Sequence, residues 1–405
     1  MQVIYICYFS LEENLVQTQV VSYLCQLAGY GYKITLITFE KNAQFNVRKL
    51  SYKAKLDEYG INWRFLKYHK KPSVIATMYD VLVGILKVIS IARKHKVTLL
   101  HARSHVPLVI AIISKFFINA TVLFDIRGLL ADEYADAGVL RTNSPGYLVL
   151  KSAEWIGINH SDWLVVLTEK LKTYIVNKYP NKLSRITVIP CCTDTVNIAN
   201  LNNHENNSTE QLKCSNFEMI YSGSVSGLYL MTEVARFFSI ARKLIPNVTL
   251  TILTNESGHN YVKSKLSTFG IKPDIYRVIE VPPSEVYNYL TKARFGLSFR
   301  KPTFSQIAAS PTKIPEYLSA GLPVISNHGI GDTDHILSFY KVGVILNGFN
   351  DEDYRIATYN MLALLKDSDL KARCKRVATQ LFDLKNVGGA RYAQTYHQLE
   401  RLKSC

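Results

Sequence analysis

Asn197-Ile-Ala-Asn-Leu-Asn-Asn-His-Glu-Asn-Asn-Ser-Thr-Glu-Gln-Leu-Lys-Cys-Ser-Asn216 runs directly into Phe217-Glu-Met-Ile-Tyr-Ser-Gly-Ser224. The first stretch is rich in Asn, Ser, Thr and Glu and almost free of large apolar side chains. That is the composition of a linker or an exposed loop. The second is a short apolar run that stops at Ser222-Gly223-Ser224, the pattern of a strand emptying into a loop. Upstream, strand-like runs at 3–8, 33–38, 98–101, 121–125, 163–167 and 185–189 alternate with helical periodicity at 15–28, 78–95 and 108–117. Downstream the alternation restarts. Strands are expected at 217–221, 248–254, 277–281, 295–299 and 324–326, and helices at 230–244, 261–269, 283–293 and 315–320. From 352 to 402 the pattern is helical, with a break near Gly388-Gly389. Strand–helix alternation of this kind argues for parallel sheets covered by helices on both faces. The expected fold class is therefore α/β, with two Rossmann-like parallel-sheet domains facing across a cleft. Its parts are a domain at 1–196, the linker at 197–216, a second domain at 217–385, and a C-terminal helix at 386–405 that packs back on the first domain.

The chain has 405 residues, and at roughly 150 residues per domain that length suits two or three domains. Hydrophobic residues make up 48% and charged residues 20%, which excludes a disordered chain. No fixed-period repeat is visible, which removes fibrous and solenoid folds. The net charge is +16, with +10 over residues 1–196 and +6 over 197–405. Such an excess attracts polyanions: nucleic acid, anionic lipid or phosphorylated small molecules. The seven cysteines show no C-x-x-C pair, which fits a reducing compartment and gives no zinc-ligand spacing. No run of about 18 uninterrupted apolar residues exists; the nearest expected is 106–118, broken by Lys115. The first six residues enter a strand-like run without a basic leader. A cytoplasmic protein is expected, peripheral on the inner face of the cell membrane if it touches one.

Chemistry concentrates in Ser310-Pro-Thr-Lys-Ile-Pro-Glu-Tyr-Leu-Ser-Ala-Gly-Leu-Pro-Val-Ile325. Pro315 suits the first turn of a short helix, which leaves Thr312 and Lys313 just before it. Backbone N–H groups, the helix dipole and the Lys313 ammonium would favour an anion there. Glu316 can accept two hydrogen bonds from a vicinal diol such as a ribose, or be the surface glutamate of an ordinary capped helix. Gly321 reads as the helix C-cap, with Pro323 beyond it.

Glu316 to Ile325 resembles the donor-site segment of family 4 glycosyltransferases, which have the GT-B fold. Ile189-Pro-Cys-Cys-Thr-Asp-Thr195 is similar to the end of that family's first domain, and Ile220-Tyr-Ser-Gly-Ser224 to the first strand and glycine loop of its second. The resemblance implies retaining transfer of a sugar from a nucleotide diphosphate-sugar, without a metal or other cofactor. It assigns Glu316 to the donor ribose, Thr312 and Lys313 to the diphosphate, Gly223 and Ser224 to the loop beside the phosphates, and Val281 and Pro282 to the base. The sequence also departs from the family. The first acid of the Glu-x7-Glu pattern is Ala308, so Ser310 or Gln306 would have to contact the sugar. The basic pair after the second-domain glycine is missing, and Arg300 and Lys301 could supply its charge. The N-terminal glycine pair is Asn14-Leu15, which leaves Asn14 as an acceptor-side candidate.

Two loops complete the candidates. In His101-Ala-Arg-Ser-His105, where the family often has His-x-His, Arg103 or His105 could stabilise charge or orient an acceptor hydroxyl; a structural histidine is the alternative. In Asp125-Ile-Arg-Gly-Leu-Leu-Ala-Asp-Glu133, Arg127 could bind phosphate and Asp125 an acceptor hydroxyl, with Asp132 and Glu133 beside them. The alternative there is a salt-bridged loop holding the domain together. The acidic triplets at 332–334 and 351–353 read as solvated turns rather than metal sites. Trp63-Arg-Phe-Leu-Lys-Tyr-His-Lys-Lys71 mixes aromatic and basic side chains in a way that suits an anionic bilayer, or a half-exposed strand. The implied partners are a nucleotide sugar, a glycan or lipid-linked acceptor of bacterial surface polysaccharide synthesis, and an anionic membrane surface. No nucleic-acid module is recognisable. The rival readings are a sugar-nucleotide epimerase or hydrolase on the same scaffold, and a basic nucleic-acid-binding α/β protein.

Overall fold

The computed structural model describes residues 1–41, 47–195 and 217–404. The chain divides into two units: Met1–Pro190 together with Leu384–Cys405, and Cys191–Asp383. The expected linker at 197–216 lies outside the described residues.

The strands of the first unit are β1 Gln2–Cys7, β2 Lys33–Glu40, β3 Asn62–Lys67, β4 Leu99–Arg103, β5 Thr121–Asp125, β6 Trp163–Val166 and β7 Ile186–Val188. They form one parallel sheet in the order β3-β2-β1-β4-β5-β6-β7. Its helices are α1 Ser22–Gly29, α2 Val47–Glu58, α3 Ser73–His95, α4 His105–Lys115, α5 Leu130–Asp136, α6 Pro145–His160 and α7 Glu169–Lys178. The central strand β1 is apolar on both faces, with Val3 to Cys7 all buried, as a strand covered on both sides requires.

The second unit holds β8 Glu218–Ser222, β9 Thr249–Leu253, β10 Tyr276–Ile279, β11 Phe295–Ser298, β12 Val324–Asn327 and β13 Gly343–Leu346. These also pair in parallel, in the order β10-β9-β8-β11-β12-β13. Its helices are α8 Met231–Ala241, α9 His259–Thr268, α10 Pro283–Leu290, α11 Lys313–Ser319, α12 Thr333–Phe339, α13 Asp351–Leu364 and α14 Leu370–Phe382. Because successive strand residues point to opposite faces, Met219 and Tyr221 join one core with Phe237, Phe299 and Tyr354. Ile220 joins the other, with Tyr317, Leu318 and Val324.

A last helix, α15 Ala390–Ser404, returns to the first unit. Tyr32 Oη donates to the Ala393 carbonyl at 3.1 Å, and Arg391 donates to the Val188 carbonyl at 2.8 Å. The helix break expected near Gly388-Gly389 is a π-helical turn, Leu384–Gly389; the chain straightens at Asp383 just before it.

The structure corrects the sequence reading at three points. Strands β3 and β13 were not in the expected series: in β3 basic and aromatic residues obscure the alternation, and β13 is a four-residue edge strand. Helix α11 begins at Lys313, two residues before Pro315, so Lys313 is inside the helix and not ahead of it. Among the described residues the stretch nearest to a membrane span by length and composition together is Val74–His95 rather than 106–118, because Asp80 and Lys87 interrupt a run long enough to stay apolar on average.

Candidate functional site

In the second unit the candidate donor residues gather at the carboxyl ends of β8 and β11, the usual ligand edge of a parallel sheet. Helix α11 is fixed there by Tyr317. Its ring lies flat against Gly296 in β11, where an added Cβ would come within 2.4 Å of the ring. Its hydroxyl accepts the Ser222 N–H at 2.8 Å. This anchor draws the N-terminal turn of α11 under the loop that leaves β8. Gly223 opens that loop at φ +105°, a backbone region that favours glycine, and its N–H donates to the Leu253 carbonyl at 2.8 Å.

Lys313 is the centre of the arrangement. It is 3% exposed, and its Nζ has no hydrogen-bond partner among the described residues. The ammonium instead lies 3.7 Å from the ring centroid of Tyr221 and 4.4 Å from that of Tyr229. The Arg300 guanidinium also lies on Tyr229, 4.5 Å from its centroid, and Nε donates to Gln306 Oε1 at 2.7 Å. Burial, and then the nearby Arg300 charge, push the Lys313 pKa well below its usual value; Glu316 opposes them. Two aromatic faces offset part of the desolvation cost. A buried, unpaired cation with a second cation nearby has the charge arrangement that would suit a multivalent anion.

Glu316 is half-buried one turn along α11. Burial raises its pKa from 4.5 to about 7, against the pull of Lys313. The folded state therefore holds this proton more tightly than the unfolded chain. The associated stability is fully present below pH 4.5 and is lost as the pH rises through about 7. Glu316→Gln should stabilise the ligand-free protein at pH 8 by roughly 1–2 kcal/mol after solvent screening and leave its stability unchanged at pH 4. Calorimetry at the two pH values checks this.

The other candidates of this unit lie around the same edge. Ser224 is exposed beside Gly223, and its carbonyl accepts the Tyr221 hydroxyl. Thr312 is the N-cap of α11 without a side-chain bond to the helix. Lys301 is half-buried next to Arg300. Ser310 accepts the Cys191 N–H at 3.1 Å. Val281 packs on the α11-side core, and Pro282 caps α10. Ala308 is wholly buried. The amide of Gln306 is taken up by Arg300 and Ser305. Tyr221 and Tyr229, which cradle the cations, were missed by the sequence reading; Tyr221 was visible only as a strand residue.

In the first unit the candidates form two networks. Asp125 is fully buried, with Arg103 Nη1 at 3.5 Å, Arg127 Nη1 at 3.6 Å and His101 Nε2 at 3.7 Å. Tyr392 of α15 donates to it at 3.1 Å. Burial alone would raise its pKa, but Arg127, His101 and Arg103 together hold it well below the usual carboxylate range. His101 also meets Tyr396 Oη at 2.7 Å. The second network links buried His105 to Glu154 at 3.9 Å, Glu154 to Lys151 at 2.6 Å, and Lys151 to Asp132 at 3.0 Å. The Glu133 carboxylate lies against Gly128, where a Cβ would come within 2.1 Å of it. Asn14 is exposed at the start of a short helix, Asn14–Val16, leading into α1. Among the described residues no group of three or more metal-ligating side chains occurs.

Residues 16–197 match the family described as Glycosyltransferase Family 4. The fold of the whole chain is like that of solved GT-B structures. The chain has the GT-B fold. A glycosyltransferase from Rickettsia africae ESF-5 superposes with a TM-score of 0.72 at 13% identity, over 99% of this chain and 98% of that one. Anabaena Alr3699/HepE in complex with UDP-glucose gives 0.69 at 13%, over 99% and 100%. The apo lipopolysaccharide outer core galactosyltransferase WaaB gives 0.66 at 13%, over 100% of both. No curated protein matches the sequence. In this GT-B protein the matched segment takes in most of the first unit and ends at residue 197, so the cationic centre at Lys313 lies outside it.

Proposed function

We propose that this protein is a retaining glycosyltransferase that moves a sugar from a nucleotide diphosphate-sugar to a glycan or lipid-linked acceptor of a bacterial surface polysaccharide. The observation that carries the proposal is the buried, unpartnered Lys313 ammonium beneath the Gly223 loop, with Arg300 across Tyr229. The diphosphate would bind these cations and the amides of Thr312 and Lys313, beside the Gly223–Ser224 loop. Glu316 would accept the ribose hydroxyls, and Val281 and Pro282 would meet the base. The likeness to the UDP-glucose complex makes uridine diphosphate-sugars the first donors to screen, and the likeness to a lipopolysaccharide enzyme supports a surface-glycan acceptor.

In the proposed reaction the bond from the anomeric carbon to the diphosphate breaks. The acceptor oxygen attacks from the same face and its proton passes to the departing phosphate. No enzyme nucleophile is needed, and catalysis rests on positioning and on charge stabilisation of the leaving diphosphate. Lys313 and Arg300, rather than a metal ion, would neutralise that charge, so turnover should be unchanged after treatment with a chelator. Arg103, His105 and Asp125 are packed inside the first unit with their polar atoms against other side chains, and we assign them positioning. Arg127, partly exposed, together with Asp132, Glu133 and Asn14, remains on the proposed acceptor side.

Glu316→Ala should weaken donor binding by about tenfold or more, as expected for a charge-assisted hydrogen bond to a diol. Because Glu316 must be ionised to accept both hydroxyls, wild-type affinity should fall as the pH drops below about 7. The Glu316→Gln variant should lack that dependence. Titration calorimetry with nucleotide sugars from pH 5.5 to 8.5 tests both, and an unchanged affinity in Glu316→Ala removes the ribose assignment. Full-rate donor turnover without any acceptor would instead favour the epimerase or hydrolase reading.

A further inference from the structure

Helix α3 is apolar on the side that faces away from the sheet. Its inner face is conventional: Ala76, Ile85, Val88 and Ala92 are buried, and Asp80 points inward to Tyr8 Oη at 2.7 Å and the His69 ring at 2.6 Å. Its outer face carries Ile75, Met78, Leu82 and Leu86, at helical spacing and 55–67% exposed. Because α3 links the carboxyl end of β3 to the amino end of β4, its N-terminal half lies at the carboxyl edge of the strands. At 23 residues it is also about twice as long as α4, on which it packs.

Exposed apolar side chains also occur on α6, in the same helical layer. Helix α4 packs next against α6, where Trp155 is 53% exposed. These three helices contain two carboxylates, Asp80 and Glu154, and both are buried. Basic residues frame the surface: Lys67, Lys70 and Lys71 are exposed before α3, and Arg93 and Lys94 at its end. An apolar patch of this extent on a soluble surface marks a docking site. A rim of one sign of charge selects an anionic occupant.

We propose that the outer face of α3, with that of α6, docks on an anionic lipid bilayer. The helix lies in the interface, its apolar side chains inserted and its lysines on the headgroup phosphates. A second copy of the chain is the poorer occupant. A two-fold contact through this face would set like basic rims against each other, on a chain of net charge +16. The inference rests on the exposed helices of the first unit and not on the donor assignment.

The test is flotation of the full chain with vesicles of phosphatidylcholine alone or with 30% phosphatidylglycerol (about 7:3), free of nucleotide and acceptor. Binding to the anionic vesicles is expected, weakened but not abolished by 0.5 M salt (an order of magnitude above a low-salt buffer). Trp155 is the exposed one of three tryptophans, since Trp63 and Trp163 are buried. Insertion should therefore shift the protein's emission to the blue, and Trp155→Phe should remove the shift. Met78→Glu combined with Leu82→Glu should reduce partitioning at least tenfold at an unchanged melting temperature. Lys70→Ser with Lys71→Ser should reduce the salt-sensitive part alone. Equal flotation of the Met78/Leu82 variant, no binding by the wild type, or a wild-type dimer that this variant converts to monomer would each overturn the proposal.

Discussion

Lys313→Met is expected to weaken binding of the proposed donor sharply while making the empty protein more stable. The ammonium is buried and unpaired, so in the ligand-free state it contributes an uncompensated desolvation cost. A thioether of similar length fills the same space and sits well against the Tyr221 and Tyr229 rings. When a diphosphate is bound, the same cation becomes one half of a desolvated ion pair. Its loss should lower affinity by about 100-fold, roughly 2.8 kcal/mol at 1.4 kcal/mol per decade. The pH dependence has a definite sign. The folded-state pKa of Lys313 lies below 10.5, so the unfolded chain binds the extra proton and wild-type stability rises as the pH approaches 10.5. The stability advantage of the variant is therefore largest at neutral pH and shrinks toward pH 10.5. Thermal melts with and without nucleotide diphosphate check both effects. A variant that binds donor normally would remove Lys313 from the site.

Asp125→Ala produces the largest loss of stability. The carboxylate is the shared counter-charge of Arg103 and Arg127 and accepts a hydrogen bond from Tyr392. Its removal leaves two guanidinium groups facing each other in a buried space, which costs about 3–5 kcal/mol. Tyr392→Phe removes one hydrogen bond and should cost only about 1 kcal/mol. Hydrogen exchange of α15 separates this account from general damage: the amides of that helix should lose protection in Asp125→Ala before those of β1 and β4 do. If α15 stays protected, Asp125 is not what fastens it.

The two-unit α/β architecture was legible in the sequence because each sheet strand is a short apolar run between turn signals. Thr121–Asp125 was bounded to the residue, and Lys33–Thr38 needed only extension to Glu40. The misses share a cause. Trp63–Lys67 alternates bulky and basic side chains, which reads equally as a surface strand or a lipid-facing patch. Gly343–Leu346 is an edge strand too short to show a period. In the proposed donor site Glu316 was a candidate from local pattern and resemblance, and Gly223 from resemblance alone. The role of Lys313 was found only in part: its charge was evident, but its burial under two tyrosines depends on the long-range contact between Tyr317 and Gly296. In the Asp125 network the ion pair with Arg127 fits the salt-bridged alternative, whereas the Tyr392 contact, 267 positions away, was out of reach.

The return of α15 makes the second unit an insert in the covalent chain of the first. Its entry and exit segments run side by side: Thr193 pairs with Asp383 in parallel, and the Thr193 N–H donates to the Phe382 carbonyl at 2.9 Å. A module that begins and ends at neighbouring strands can be exchanged as a cassette. If the proposed donor assignment holds, splicing a homologous insert between Pro190 and Leu384 should change the activated sugar without rebuilding the unit that α15 closes.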